Sequence, residues 1–304
     1  MIITQKKSKL LSFLIYAISA AILLVDYPTV LLGIREGLAM CARHIVPSLF
    51  MLSVVSGVLI SSPYSENLFT SVLSIVFGLG KKCGTVVFFA LIAGFPGGAI
   101  GASELYEKGL IDRWDCEKIV YFTNNAGLAF IIGTVGTLMG DHRFAIVLWI
   151  SQTMASLTLT NIFRSKDRKN SDEKIMLRDQ ITLVEAIKKS ASAMVVVCAF
   201  VCFFTAVRML AIDLLEKYVR NSLFLGIIIT FIEIRNAVKY ASELTYNAKA
   251  LCAFATGFGG LSAIMQSVAV CPCVKISRYV GARILMGVSC AGYTYLISCL
   301  LSFG

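Results

Sequence analysis

Long apolar stretches separated by short polar segments run through most of the chain. Their lengths approach the ~20 residues that a helix needs to cross a bilayer. They predict membrane-spanning helices at residues 10–25, 45–60, 119–140, 144–163, 190–212, 222–240 and 282–303. Residues 68–80 are apolar over only 13 positions and either span or dip into the membrane. Residues 29–44 mix charged and apolar positions at helical spacing, which is typical of a helix at the membrane interface.

The apolar segment at residues 85–102 is interrupted halfway by glycine and proline. Its first arm, residues 86–94, would be only about 13 Å long as a helix, roughly half of a ~30 Å hydrocarbon core. Pro96 lacks a backbone donor, and the neighbouring glycines permit conformations that other residues resist. The helix should therefore break at about mid-membrane depth, where broken backbone must be buried in protein or face water.

A related interruption lies in the second half of the chain. Aligning residues 94–97 with residues 257–260 superimposes the two Gly-Phe motifs and also matches Ala90 with Ala253. Two broken segments in corresponding halves are a pointer to the substrate site of a transporter. We predict an all-α polytopic membrane protein with two structural repeats, each with a broken or re-entrant helical hairpin. The predicted hairpin tips comprise Gly94, Phe95, Pro96, Gly97, Gly98, Gly257, Gly259 and Gly260.

The basic segment at residues 164–189 divides the chain and holds eight Lys or Arg, so the positive-inside rule places it in the cytoplasm. It separates a first repeat, with its hairpin near residues 85–102, from a second repeat, with its hairpin near residues 250–270. The predicted divisions are 1–36 (N-terminal transmembrane helix and interfacial segment), 37–163 (first repeat), 164–189 (linker) and 190–304 (second repeat).

A second cytoplasmic loop is marked by Lys275, Arg278 and Arg283. If both basic segments are inside and every other apolar segment crosses, the two breaks lie on the same side of the membrane. An inverted repeat needs them on opposite sides. The parity of the topology therefore stays open at this stage.

Composition agrees with a multi-pass integral membrane protein, since 57% of residues are hydrophobic, 15% are charged and the mean hydropathy is +0.80. The net charge of +10 comes from short segments between apolar stretches, and no basic stripe interleaved with aromatic residues predicts nucleic-acid binding. The predicted partners are a small-molecule substrate and the lipid bilayer, and the sequence is compatible with a homo-oligomer.

No constellation of side chains indicates an enzyme. The two histidines lack ligand-spaced neighbours, and Cys271 and Cys273 form a tight pair for which the sequence supplies no further ligands nearby. The ten cysteines lie mostly in apolar segments and give no disulfide framework. We predict no cofactor, no metal site and no catalytic residue.

Polar groups within the apolar segments are the candidates for substrate binding. An ionisable group at membrane depth costs on the order of 3 kcal/mol and normally faces protein or a watery cavity, unless its span ends early. Amides suit polar substrates but also bond neighbouring helices. Helix N-termini after the two breaks would add an anion site. The candidates are Asn124, Asn125, Ser262, Gln266, Glu233, Arg235 and Asn236.

The motifs GFPGGAIGASELYEKGLI, YFTNNAGLAFIIGTVG and GFGGLSAIMQ resemble those of the YlbJ-like sporulation integral membrane proteins, which carry the nucleoside-recognition or Gate domain. The resemblance covers the chain from about Gly37 onward. It implies a fold similar to the concentrative nucleoside transporters, with a re-entrant hairpin in each repeat. It also implies a part in moving dipicolinic acid across a membrane around the developing spore.

By position, the resemblance assigns the first hairpin tip to residues 94–99. It assigns the polar motif to Asn124, Asn125 and Gly127, and the second tip to Gly257, Gly259, Gly260, Ser262 and Gln266. Two departures from the family pattern stand at Ile100, where a lysine is frequent, and at Leu128, where a proline is frequent. Without that lysine, the helix termini and Arg235 are the candidates that would supply positive charge to an anionic substrate.

Three functions follow as expectations. The first is a transporter of a small anionic aromatic solute, foremost dipicolinic acid, working by alternating access around the two broken helices. The second keeps the fold and carries nucleosides or similar heterocycles. The third is a non-transporting membrane scaffold in spore-envelope or cell-envelope assembly.

Overall fold

The computed structural model describes residues 26–62, 68–164, 181–215, 222–244 and 247–301, and these residues contain helices and no strand. The first predicted span and most of the basic linker lie outside them. The α-helices are α1 (Tyr27–Met40), α2 (Val46–Ser61), α3 (Leu68–Val76), α4 (Gly84–Ala93), α5 (Gly97–Glu107), α6 (Arg113–Lys118), α7 (Leu128–Phe130), α8 (Gly136–Leu138), α9 (His142–Ile162), α10 (Leu183–Leu215), α11 (Ser222–Ile232), α12 (Ile234–Ser242), α13 (Ala248–Phe258), α14 (Gly260–Val270) and α15 (Ile276–Leu300).

Five helical stretches of the described chain are long and apolar enough to cross a membrane, which agrees with an all-helical, multi-pass membrane protein. One of them contains α6, α7 and α8 together with two short π-helical segments, Ile119–Thr123 and Ile131–Val135. Another contains α13 and α14. The five stretches are Arg113–Leu138, His142–Ile162, Leu183–Ile212, Ala248–Val270 and Ile276–Leu300.

The N-terminal described helix is longer than predicted. A π-helical segment, Cys41–Ile45, joins α1 to α2 with helical backbone angles at both junctions. The expected interfacial helix and the expected second span are therefore one continuous helix, which crosses the predicted domain boundary at residue 36. The α1 part packs on α10, where Gly33 leaves room for the backbone of Ala206 and Glu36 pairs with Arg208.

The short apolar segment at residues 68–80 does not supply another crossing. Its helix, α3, has nine residues and would be about 14 Å long. The basic linker also ends earlier than predicted, since α10 already begins at Leu183.

The predicted break near Pro96 is confirmed, and the two arms around it pack side by side. Helix α4 ends at Ala93 and α5 begins at Gly97. A Cβ added to Gly98 would lie 2.7 Å from that of Ala90, and one added to Gly101 would lie 3.0 Å from the side chain of Val86. Residues equidistant from the turn thus face one another, and we call this pair of helices the first hairpin.

The second half differs from the prediction. Helices α13 and α14 form one candidate span, bent at Gly259 and Gly260, instead of a hairpin near residues 250–270. Helix α13 packs along α15, whereas α14 contacts α5 and α10. The chain bends at this point because both glycines take positive φ, but its direction does not reverse.

The packed helix pair of the second half lies where a continuous span was predicted at residues 222–240. Glu233 has extended backbone angles (φ −155°, ψ 131°), so α11 ends at Ile232 and a new helix starts at Ile234. Gly226 and Tyr240, equidistant from this turn, lie against one another. Leu225, Ile229 and Ala237 bury a small core between the arms. We call α11 and α12 the second hairpin.

Each hairpin turn rests on the break of a bent span. Gly94 of the first turn packs against the 124–127 break between the π-helical segment Ile119–Thr123 and α7, where the Phe95 N–H donates to the Asn125 carbonyl at 2.8 Å. Glu233 of the second turn packs against the break at Gly260, where an added Cβ would lie 3.1 Å from the Glu233 backbone. Residues 257–260 thus contact a hairpin turn as the 124–127 break does, whereas the sequence alignment had paired them with the first hairpin turn.

Candidate functional site

A cavity of about 560 Å³ lies where the two hairpin turns, the two breaks and the helix of α1 and α2 meet. This volume is within the range of pockets that hold small organic ligands. The lining residues are Met40, Arg43, Ile45, Pro47, Leu49, Leu52, Ala93, Phe95, Ala126, Gly127, Ala129, Phe130, Gly133, Thr134, Val197, Val201, Glu233, Ile234, Arg235, Ser262, Ala263 and Gln266.

The walls are mainly aliphatic and aromatic, with Phe95 from the first hairpin turn and Phe130 from the helix after the 124–127 break. Of the predicted hairpin-tip residues, Phe95 alone lines this cavity. The glycines around it act through the backbone, because their missing side chains allow turn and break to touch. Apolar walls of this kind bury the ring of a ligand, and the few polar groups fix its orientation.

Two arginines bring positive charge to the cavity. Arg43 projects from the π-helical segment Cys41–Ile45, a kind of irregularity that is frequent at functional sites. Arg235 stands in the first turn of α12 and is half-buried. Among the described residues, none accepts a hydrogen bond from either guanidinium group. Arg235 was predicted from the sequence, whereas Arg43 was counted only as part of an interfacial helix.

Glu233 adds one negative charge to the cavity, but both oxygens of its carboxylate are engaged by the start of α12. Its Oε1 accepts the Arg235 N–H at 2.8 Å, and its Oε2 accepts the Asn236 N–H at 2.9 Å and the Asn236 side-chain amide at 2.6 Å. A carboxylate in this position caps the helix and neutralises its positive end. Glu233 lines the cavity, but Asn236 does not and serves to hold the cap in place.

Ser262 and Gln266 lie on one face of α14 and both line the cavity, as predicted from their spacing. The Gln266 amide donates to Ser262 Oγ at 3.1 Å, and both side chains are buried. This pair offers hydroxyl and amide groups to a ligand. Thr134, which the sequence analysis missed, adds a hydroxyl from the helix after the 124–127 break.

The structure places Asn124 and Asn125 behind the cavity wall, where they bond neighbouring helices. The Asn124 amide donates to Ser267 Oγ at 2.8 Å, and the Asn125 amide donates to Ser156 Oγ at 2.6 Å. Both side chains are fully buried. Of the two roles that the sequence left open, the contacts support the one between helices.

Arg283 joins the two breaks, although the sequence analysis assigned it to a cytoplasmic loop. It lies within α15 and is fully buried. Its guanidinium donates to carbonyls of Gly257, Phe258, Tyr121 and Asn124, and to Asn125 Oδ1 at 2.7 Å. These carbonyls belong to helix ends, which carry partial negative charge and need donors. An arginine within an otherwise apolar helix was the signal that could have found it.

Comparison of the chain with protein-family models, with characterised proteins and with solved structures gave no match. The site is therefore described by its own geometry. It combines a mainly apolar cavity, two guanidinium groups that have no hydrogen-bond acceptor among the described residues, and a hydroxyl and amide pair.

Proposed function

We propose that this protein is a membrane transporter for a small anionic aromatic solute, which binds in the cavity between the hairpin turns. The observation that carries the proposal is the position of Arg43 and Arg235 on a mainly apolar lining, where the nearby Glu233 carboxylate accepts hydrogen bonds from its own helix. Such a cavity has a net attraction for carboxylates, which bind guanidinium groups through charge-assisted hydrogen bonds.

Dipicolinic acid is the solute we propose, on the basis of the resemblance to YlbJ-like proteins. A planar ring with two carboxylates suits a cavity that offers two cations and two phenylalanine faces, Phe95 and Phe130. In this arrangement one carboxylate faces each arginine, and Ser262 with Gln266 donates to the remaining polar atoms. The missing lysine at Ile100 is thereby replaced by arginines from other elements.

We further propose that the chain holds two inverted repeats, each made of a re-entrant hairpin, a bent span and a straight span. The first comprises α4 to α9 and the second α11 to α15. Three candidate spans separate the two hairpins, namely Arg113–Leu138, His142–Ile162 and Leu183–Ile212. An odd number of crossings puts the hairpins on opposite membrane faces, as an inverted repeat requires. This arrangement removes the parity conflict, which arose from counting residues 222–240 as a span.

The inverted arrangement is the basis for alternating access. The cavity lies between the repeats, so movement of one repeat against the other opens it to either side in turn. Fold and mechanism in this form resemble those expected for concentrative nucleoside transporters.

The test is uptake of labelled dipicolinate into proteoliposomes. We expect uptake by the native protein, and a loss of at least about tenfold, or ~1.4 kcal/mol, in Arg43→Gln and Arg235→Gln. Arg35→Gln is the matched control, since Arg35 is exposed on α1 and does not line the cavity. Equal uptake by all three variants would contradict the proposed site.

A second candidate substrate, a nucleoside or similar neutral heterocycle, is favoured by the Ser262 and Gln266 pair, whose hydroxyl and amide groups suit base edges. Uridine in the same assay separates the two. Uptake of uridine but not of dipicolinate would favour the nucleoside function. Absence of both, from folded and correctly inserted protein, would favour the scaffold.

A further inference from the structure

Three thiols that are far apart in the sequence meet at one end of the molecule. Cys116 lies on α6, and Cys271 and Cys273 lie in the loop between α14 and α15. Cys116 Sγ is 3.6 Å from Cys271 Sγ and 3.3 Å from Cys273 Sγ, and the last two are 3.3 Å apart. The sequence showed only the Cys-Pro-Cys pair, and the fold supplies the third sulfur.

The spacing fits a single metal ion. Zinc-bound thiolates at ~2.3 Å from the metal are separated by about 3.8 Å in tetrahedral geometry. The three sulfurs are therefore a few tenths of an ångström from that spacing, and a cation with bonds of ~2.3 Å would sit roughly 1.2 Å above their plane. Outward rotation of the thiols by this small amount completes a three-sulfur site.

The cluster is enclosed on one side and reachable from the other. Cys116 and Cys271 are buried, whereas Cys273 is half-buried and leaves a path from solvent. Metal binding requires deprotonated sulfur, so a bound cation displaces the thiol protons and its affinity rises with pH.

The basic residues around the three cysteines indicate that the cluster lies on the cytoplasmic side of the membrane, where thiols stay reduced. Arg113 and Lys118 flank Cys116, and Lys275 and Arg278 follow Cys273. The positive-inside rule puts both segments in the cytoplasm, where structural disulfides are rare and cysteine clusters more often bind metal.

We propose that Cys116, Cys271 and Cys273 bind one thiophilic cation, Zn²⁺ or Cu⁺, which links the bent span of the first half to the loop before the last helix. The three thiols release three protons as three metal–sulfur bonds form, with no oxidation or reduction. Soft thiolate ligands select these two ions, and Cu⁺ is satisfied by three sulfurs while Zn²⁺ takes a fourth ligand from solvent.

The first experiment is titration of the reduced full-length protein in detergent with Co²⁺, followed by sulfur-to-cobalt charge-transfer absorption and by competition with Zn²⁺ and Cu⁺. We expect one equivalent to bind, and at least a tenfold weaker affinity in Cys116→Ser, Cys271→Ser and Cys273→Ser. Cys299→Ser is the control, because Cys299 is exposed near the other end of α15. Equal binding by the triple variant would overturn the proposal.

A second measurement needs no variant. Alkylation of the native protein, mapped by mass spectrometry with Zn²⁺ and with chelator, should show all three cysteines protected by the metal and Cys299 unaffected. Equal labelling under both conditions would contradict the site. A disulfide within the cluster would also contradict it, if the protein still binds no metal after that disulfide is reduced. Neither readout depends on transport, so failure here leaves the proposed function untouched.

Discussion

The guanidinium of Arg283 lies 5.0 Å from the centroid of the Phe95 ring. Phe95 belongs to the first hairpin turn and lines the cavity, whereas Arg283 is on the last helix and holds the ends of both broken helices. An arginine over an aromatic face is a favourable cation–π contact. Arg283 therefore holds the Phe95 side of the cavity wall in place and also joins the two broken helices.

We predict that Arg283→Met strongly destabilises the protein, because it leaves several buried carbonyls without a donor. A buried carbonyl left without its donor costs about 1–3 kcal/mol. A thermal unfolding curve in detergent should show a lower Tm, with partial recovery in Arg283→Lys. Arg278→Met is the matched control, since Arg278 is exposed on the same helix. Equal Tm changes in the two Met variants would contradict the central role of Arg283.

The breaks were predictable from sequence, but the path of the chain around them was not. Glycine and proline mark the helix ends at Ala93 and Phe258, because each residue type disfavours a continuous helix. Periodicity cannot tell whether the chain then bends or reverses. The second reversal occurs at Glu233, whose carboxylate caps the new helix α12. In the sequence, this glutamate has the appearance of a charged residue within one continuous span.

The site was predictable in part for a related reason. Ser262, Gln266 and Arg235 were found because polar residues in apolar segments need partners. Arg43 was missed because it was assigned to an interfacial helix, and Arg283 because it was counted as a marker of a cytoplasmic loop. Only the fold shows that Arg43 faces a cavity and that Arg283 meets carbonyls contributed by two distant breaks.

Gly127→Ala should disrupt the contact between the first hairpin turn and its break. A methyl group at Gly127 would collide with the Ala93 carbonyl, which is backbone and cannot rotate away. We expect a loss of about 1–3 kcal/mol in stability, typical of overpacking, together with reduced uptake. Gly292→Ala is the control, because nothing lies within 4 Å of its added methyl group. A native Tm for Gly127→Ala would show that turn and break do not touch in this way.

Removing the Glu233 carboxylate should weaken the second hairpin. Glu233→Ala loses the cap of α12, which is worth about 1 kcal/mol, and leaves the Asn236 amide without its acceptor. The decrease should be visible as a lower Tm in the absence of any solute. Glu243→Ala, an exposed substitution after the end of the same helix, should leave the Tm unchanged. A Tm that differs from the native value only when solute is present would instead indicate a direct role in binding.

The ion pair between Glu36 and Arg208 should couple the N-terminal helix to α10. Arg208 Nη2 donates to Glu36 Oε2 at 2.7 Å, and the arginine side chain is nearly buried. Each single substitution, Glu36→Gln or Arg208→Gln, leaves the other charge without its partner. The double variant removes both charges, so its loss in stability should be smaller than the sum of the two single losses. A double-mutant cycle on unfolding free energies should give a coupling energy of about 1–3 kcal/mol. Additive losses would mean that the two side chains do not interact, and that apolar packing, such as that of Gly33 on Ala206, joins these helices.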